Sequence, residues 1–185
     1  MIKCLLSCAA WVSALAAFSL PALAEPTVTE LGSNTPIDFA SGPFAGVAAK
    51  GAKHMQEQTS EDSSTVRTDT ATFETANLFG FFDWSRLPGG YRWQDTGFTE
   101  RLSVLAQDIF KASGFTVLEG NRTSVNGYIA DYRQIEIKGS GERCGVFALK
   151  RAHHLIQGVV CGPKGRNVPV QAVMQGLSID GVIGP

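Results

Sequence analysis

After its first two dozen residues the chain has no apolar run long enough to cross a bilayer, which leaves no transmembrane segment in the mature chain. It has no Cys-x-x-Cys pair, which removes the usual spacing of redox dithiols and zinc knuckles. Histidine is scarce, with three in the chain, His54, His153 and His154, and no His-Glu-x-x-His segment joins any of them. A basic surplus is missing too. Sixteen Lys and Arg stand against 17 Asp and Glu, a balance that argues against nucleic acid as the partner. No Gly-x4-Gly-Lys-Ser/Thr loop is present either; Lys138-Gly139-Ser140-Gly141 reads as a turn. These absences predict no cofactor and no metal.

What is present begins with an export signal. Lys3 precedes an uncharged stretch over residues 5–20, Pro21 breaks it, and Ala22-Leu23-Ala24 offers a small-x-small cleavage step. Residues 1–24 are therefore expected to be a signal peptide, which places the mature chain in the periplasm or outside the cell. Cys4 and Cys8 leave with that peptide. Cys144 and Cys161 remain, an even pair in an oxidising compartment, and a structural disulfide is expected between them.

The flanking pattern sets a register for that pair. Residues 143–150 (RCGVFALK) and 155–161 (LIQGVVC) read as two strands around Arg151-Ala152-His153-His154. Folded as an antiparallel hairpin centred on Ala152 and His153, they set Val146 opposite Val159, Phe147 opposite Gly158 and Cys144 opposite Cys161. Opposed Cα atoms on paired strands lie about 4.5–5.5 Å apart, within reach of a disulfide.

Elsewhere, residues 25–67 are rich in Ser, Thr, Gly and Ala and read as a weakly ordered arm or an edge covering, with Ala45, Ala48, Ala49, Ala52 and Met55 hinting at a short helix. Residues 68–185 read as one domain. Residues 68–84 form one or two strands, and Phe98, Leu102, Leu105, Ile109 and Phe110 stripe a helix over 99–113 that Gly114 stops. Strands follow at 115–118 and 128–137 around Asn126-Gly127, and a second helix carries Val170, Val173, Met174 and Leu177. The expected fold is α+β, an antiparallel sheet covered on one face by two amphipathic helices, with one disulfide-stapled hairpin.

For a site, residues 79–93 (FGFFDWSRLPGGYRW) hold the densest aromatic run, interleaved with Arg86 and Arg92. Aromatics and arginine around a glycine turn are the material of binding hot spots, so Trp84, Tyr91, Arg92 and Trp93 are candidate binding residues. Arg133 joins them, as do His153 and His154 in their basic turn. Glu74, Asp83, Asp95 and Asp131 are left as carboxylates that only the fold can bring together. His54 with Glu57 reads as surface.

Residues 97–183 resemble small uncharacterised exported proteins of Gram-negative bacteria, on the striped helix, Val125-Asn126-Gly127-Tyr128, Tyr132-Arg133, Cys144-Gly145-Val146-Phe147, Gly158-Val159-Val160-Cys161 and the short last helix. The layout is also similar to the PsbP-like α+β sandwich of photosystem accessory proteins. The resemblance implies a non-enzymatic binding or accessory role, with another envelope protein or a small ligand as partner. The alternative is a small periplasmic hydrolase whose site is assembled only in three dimensions.

Overall fold

Alternation of small or apolar residues with polar ones dominates the chain, and strands are what it forms. A computed structural model describes residues 25–58, 64–93, 114–180 and 182–183. Among these residues ten strands run in chain order: β1 (Thr27–Glu30), β2 (Ile37–Phe39), β3 (Gly51–Gln58), β4 (Thr65–Glu74), β5 (Phe79–Arg86), β6 (Phe115–Val125), β7 (Tyr128–Ile137), β8 (Arg143–Arg151), β9 (His154–Gly162) and β10 (Leu177–Ile179). One helix, α1 (Val170–Gly176), precedes β10.

Eight strands form one antiparallel sheet in the order β1-β3-β4-β5-β9-β8-β7-β6. It is two meanders, β3 to β5 and β6 to β9, joined where β5 pairs with β9. β2 and β10 make a separate two-stranded sheet. Asn126 and Gly127 both take positive φ, 49° and 77°, the pair of left-handed residues a tight β6–β7 hairpin needs.

The stapled hairpin has the register its sequence implies. Val146 faces Val159, Phe147 faces Gly158, and Cys144 faces Cys161, with the two cysteines joined as a disulfide and their Cα atoms 4.0 Å apart. Both faces of β8 and β9 are buried. Phe147, Leu149, Ile156 and Val160 belong to the larger core, and Cys144, Val146, Leu155 and Val159 to a second cluster on the opposite face. Interior strands covered on both sides lose their polar alternation, which is why these segments read as nearly continuous apolar runs.

The cover on the larger core corrects the expected fold. The two-helix α+β arrangement does not hold; the protein is mostly antiparallel β, and among the described residues its only helix is the seven-residue α1. The helix expected over 99–113 lies outside the described residues. What packs on the sheet instead is the β2–β10 pair, α1 and the segment after β2. Phe39 and Phe44 from that region meet Phe73 and Phe82 of the sheet with ring centroids 4.9–6.1 Å apart, an interlocked set at tilted and edge-on angles. Gly145 lets α1 approach β8 this closely, since a Cβ there would sit 1.8 Å from a Val170 methyl.

In residues 25–58, β1 and β3 extend the sheet at one edge, and Ile37, Phe39 and Phe44 lie in its core. The helix hinted at by Ala52 and Met55 is strand β3. Among the described residues, no helix is long and apolar enough to cross a membrane.

Candidate anion-binding cleft

Strand alternation and register put two rows of side chains side by side at one end of the larger core's face. The inner row runs His54, Asp69, Trp84 and Ile156 across β3, β4, β5 and β9. The next row out, two residues along each strand, runs Gln56, Arg67, Arg86, His154 and Arg151. Apolar packing gives way to charge between them.

Asp69 is the pivot. Its side chain is 5% exposed, and both oxygens are engaged: one takes His54 Nδ1 at 2.7 Å and the other accepts from the Arg86 guanidinium. A carboxylate sunk in a core face needs such partners to hold its charge. Gln56 Nε2 lies 3.0 Å from His54 Nε2. That contact is met when Nδ1 donates to Asp69 and Nε2 accepts from the amide. Arg86 is fixed from a second direction, its guanidinium carbon 4.1 Å from the Trp84 ring centroid.

The indole holds a histidine in turn. Trp84 Nε1 donates to His154 Nδ1 at 3.2 Å, with the two rings stacked. An indole N–H can only donate, so that imidazole nitrogen carries no proton. Electrostatics agree. Burial lowers the His154 pKa first, and the neighbouring His153, Arg86 and Arg151 charges lower it further. His154 is a neutral imidazole in a positive field.

These groups open onto a cleft of about 520 Å³. Arg67, Arg86, His153 and His154 line it with Thr65 and the turn at Pro88, and among the described residues no carboxylate lines it. Arg86 Nε and His153 Nδ1 are buried without a hydrogen-bond partner among the described residues. Leaving such groups unpaired costs about 1–3 kcal/mol each, a feature more at home in a binding site than in a wall kept for stability.

The candidate residues of the sequence separate in space. Trp84, His153 and His154 come together here, Trp84 as a buried platform and not as an exposed contact. Trp93 lies beside the β8–β9 turn, its Nε1 donating to the His153 carbonyl at 3.1 Å. Tyr91 is half-buried in the preceding turn and Arg92 is exposed. Arg133 is elsewhere, on β7 across Gly120 of β6, with Nη1 on the Tyr132 carbonyl at 2.7 Å. Four residues were missed as site members: His54, Arg67, Asp69 and Arg86. One signal was available for Asp69, which shares a strand face with Ala71 and Phe73 and so must point inward.

Of the scattered carboxylates, the three that are described, Glu74, Asp83 and Asp131, do not meet. Glu74 pairs with Lys50, and Asp131 lies 3.9 Å from Arg122. Asp95 lies outside the described residues. Asp83 is on the opposite face of β5, where burial raises its pKa to about 6 while a hydrogen bond from Ser85 at 3.2 Å pulls it down. The hydrolase alternative would look to His54 and Asp69 as base and orienter. The nitrogen that would take a nucleophile's proton is occupied by Gln56, and the nearby hydroxyls of Thr68 and Ser85 bond each other on the other face. Among the described residues no group of three His, Cys, Asp or Glu side chains gathers to hold a metal ion. No family model, no curated protein and no solved structure matches the chain.

Proposed function

We propose that the chain is an exported binding protein that takes an oxyanion, carboxylate, sulfate or phosphate, in the cleft at the end of β4, β5 and β9. The observation that carries this is the convergence of Arg67, Arg86, His153 and His154 on one concave surface, with no carboxylate among the described residues that line it. Asp69 lies beneath that surface, and with both its oxygens engaged it fixes the guanidinium in place for a ligand. Planar arginine forks suit such ligands, and a pre-positioned fork loses little entropy on binding. The leader at residues 1–24 and the Cys144–Cys161 disulfide support export.

The test is equilibrium titration of the mature chain with inorganic sulfate and phosphate at fixed ionic strength, in wild type and in Arg67→Ala. The expected result is saturable binding that weakens about tenfold or more in the variant, about 1.4 kcal/mol, with unfolding unchanged. Wild type and variant titrating alike would remove the reading.

A further inference from the structure

The cleft is not isolated. A second depression, of about 320 Å³, is lined by Tyr128, Arg151, His153 and His154, and so shares its histidines with the cleft. A third, of about 310 Å³, shares Arg151 and Ala152 with the second and is lined also by Trp93, Arg122, Ile129 and Lys150. The three form one path around the β8–β9 turn. Alternation explains how it passes from face to face: Arg151 shares the face of His154 and Arg86, while its neighbour Lys150 shares the face of Ile129.

We propose, building on the anion cleft, that the ligand is an acidic oligosaccharide that lies across the β8–β9 turn. One anionic group sits at Arg67 and Arg86, a later one at Arg151 and Lys150, and a sugar ring lies against Trp93. Charge distribution points to more than one anion. The chain is near neutral overall, with a formal net charge of −1, yet Arg67 and Arg86 stand at one end of the path and Lys150 and Arg151 at the other. A single small anion needs only the first of these pairs.

The floor of the third depression points to a sugar. Ile129 is 49% exposed there, beside Trp93 and the small Gly127 and Ala152. The indole N–H is already committed to the His153 carbonyl, which holds the ring in place beside the path. A pyranose can set its C–H face on such a floor and turn its hydroxyls and carboxylates outward to water and to the cations. An acidic peptide fits less well. β7 and β8 are interior strands paired on both sides, so no free edge is offered for its backbone, and its amides would be desolvated without partners.

The test compares galacturonate, digalacturonate and tetragalacturonate with neutral maltotetraose and a tetra-aspartate peptide. Each is titrated into wild type, Arg67→Ala and Lys150→Ala, with inorganic sulfate alongside. Linking a second contact to the first raises apparent affinity by about 100-fold when both can be engaged at once. The expected pattern is at least a 30-fold gain from galacturonate to its tetramer. Lys150→Ala removes most of that gain and leaves sulfate and monomer binding as in wild type. Arg67→Ala weakens every anionic ligand.

No gain with length, or a tetramer indifferent to Lys150→Ala, overturns the proposal while sulfate binding leaves the cleft reading standing. Tetra-aspartate or maltotetraose binding as tightly as tetragalacturonate also overturns it. If sulfate does not bind wild type, the cleft reading falls and this proposal with it. Matching thermal unfolding curves for the three proteins confirm that each comparison is between folded chains.

Discussion

The two ends of the β8–β9 hairpin belong to the same pair of strands and do opposite things. At the Cys144–Cys161 end the strands are covered on both faces, and Cys144, Val146 and Val159 are fully buried. Past Leu149 and Leu155 the same two strands extend toward solvent, and the residues that follow toward the turn are Lys150, Arg151 and the two histidines. The covered end fixes where the open end stands. A sheet locked in register by packing and a disulfide can carry cations at its rim without relying on them for its fold, and that division can be tested by breaking each end separately.

The largest effect is expected at the staple. Replacing Cys144 and Cys161 together by Ala releases a loop with a sequence separation of 17 in the unfolded chain. The chain-entropy estimate for a loop of that size is about 3 kcal/mol of stability. Urea unfolding of the double variant should show that loss in midpoint, while sulfate binding below the transition stays within about twofold, since none of the cleft residues touches the disulfide. A variant that stays fully stable but no longer binds would reverse the division of labour between the two ends.

A second effect, of similar size but set by pH, comes from Asp83 on β5, opposite Gln157 of β9. Its pKa is raised from 3.8 to about 6, so between those values the folded state holds a proton that the unfolded state has lost. Stability from this group is therefore complete below about pH 4 and is lost as pH rises through 6. The loss reaches about 3 kcal/mol at neutral pH. Asp83→Asn should flatten that slope, matching wild type near pH 4 and exceeding it by about 2 kcal/mol at pH 7.5. Chemical unfolding from pH 4 to 8 reads it directly. Parallel curves for the two proteins would show that Asp83 is not the desolvated group.

How much of this was legible follows from where the information lies. The hairpin register was readable because a turn centred on Ala152 and His153 and a sulfur pair impose the same opposition of residues. Asn126-Gly127 was readable because the turn needs two left-handed residues. Residues 25–58 were not, because β1 is exposed along its whole length and β3 carries Ala and Met at spacings that also suit a helix. Their few core residues, Ile37, Phe39 and Phe44, take the covering role that the sequence assigned to helices. At the site, His153, His154 and Trp84 stood out by residue type. Arg67, Asp69 and Arg86 did not, since β4, β5 and β9 bring them together, and no local pattern states which strand pairs with which. Face alternation could have turned Asp69 inward, but only the register gives it Arg86.

The smallest effects separate two arginines that do the same work for a ligand but stand differently in the fold. Arg67 is exposed on β4, and removing a solvated surface side chain should change stability by less than about 0.5 kcal/mol. Arg86 is built in: its side chain is 29% exposed, it is bonded to a carboxylate that is 5% exposed, and it lies over Trp84. Arg86→Ala leaves Asp69 with His54 as its remaining partner, so the cost should be about 2 kcal/mol, below the ~3–5 kcal/mol of breaking a fully buried pair. Arg86→Lys should recover less than half of that, because an ammonium cannot reproduce the flat stack on the indole. Both alanine variants should weaken sulfate binding, and only Arg86→Ala should shift the urea midpoint. Equal midpoints for the two would mean that Asp69 holds its charge through His54 alone, and that the arginine is as replaceable at the inner wall of the cleft as at its rim.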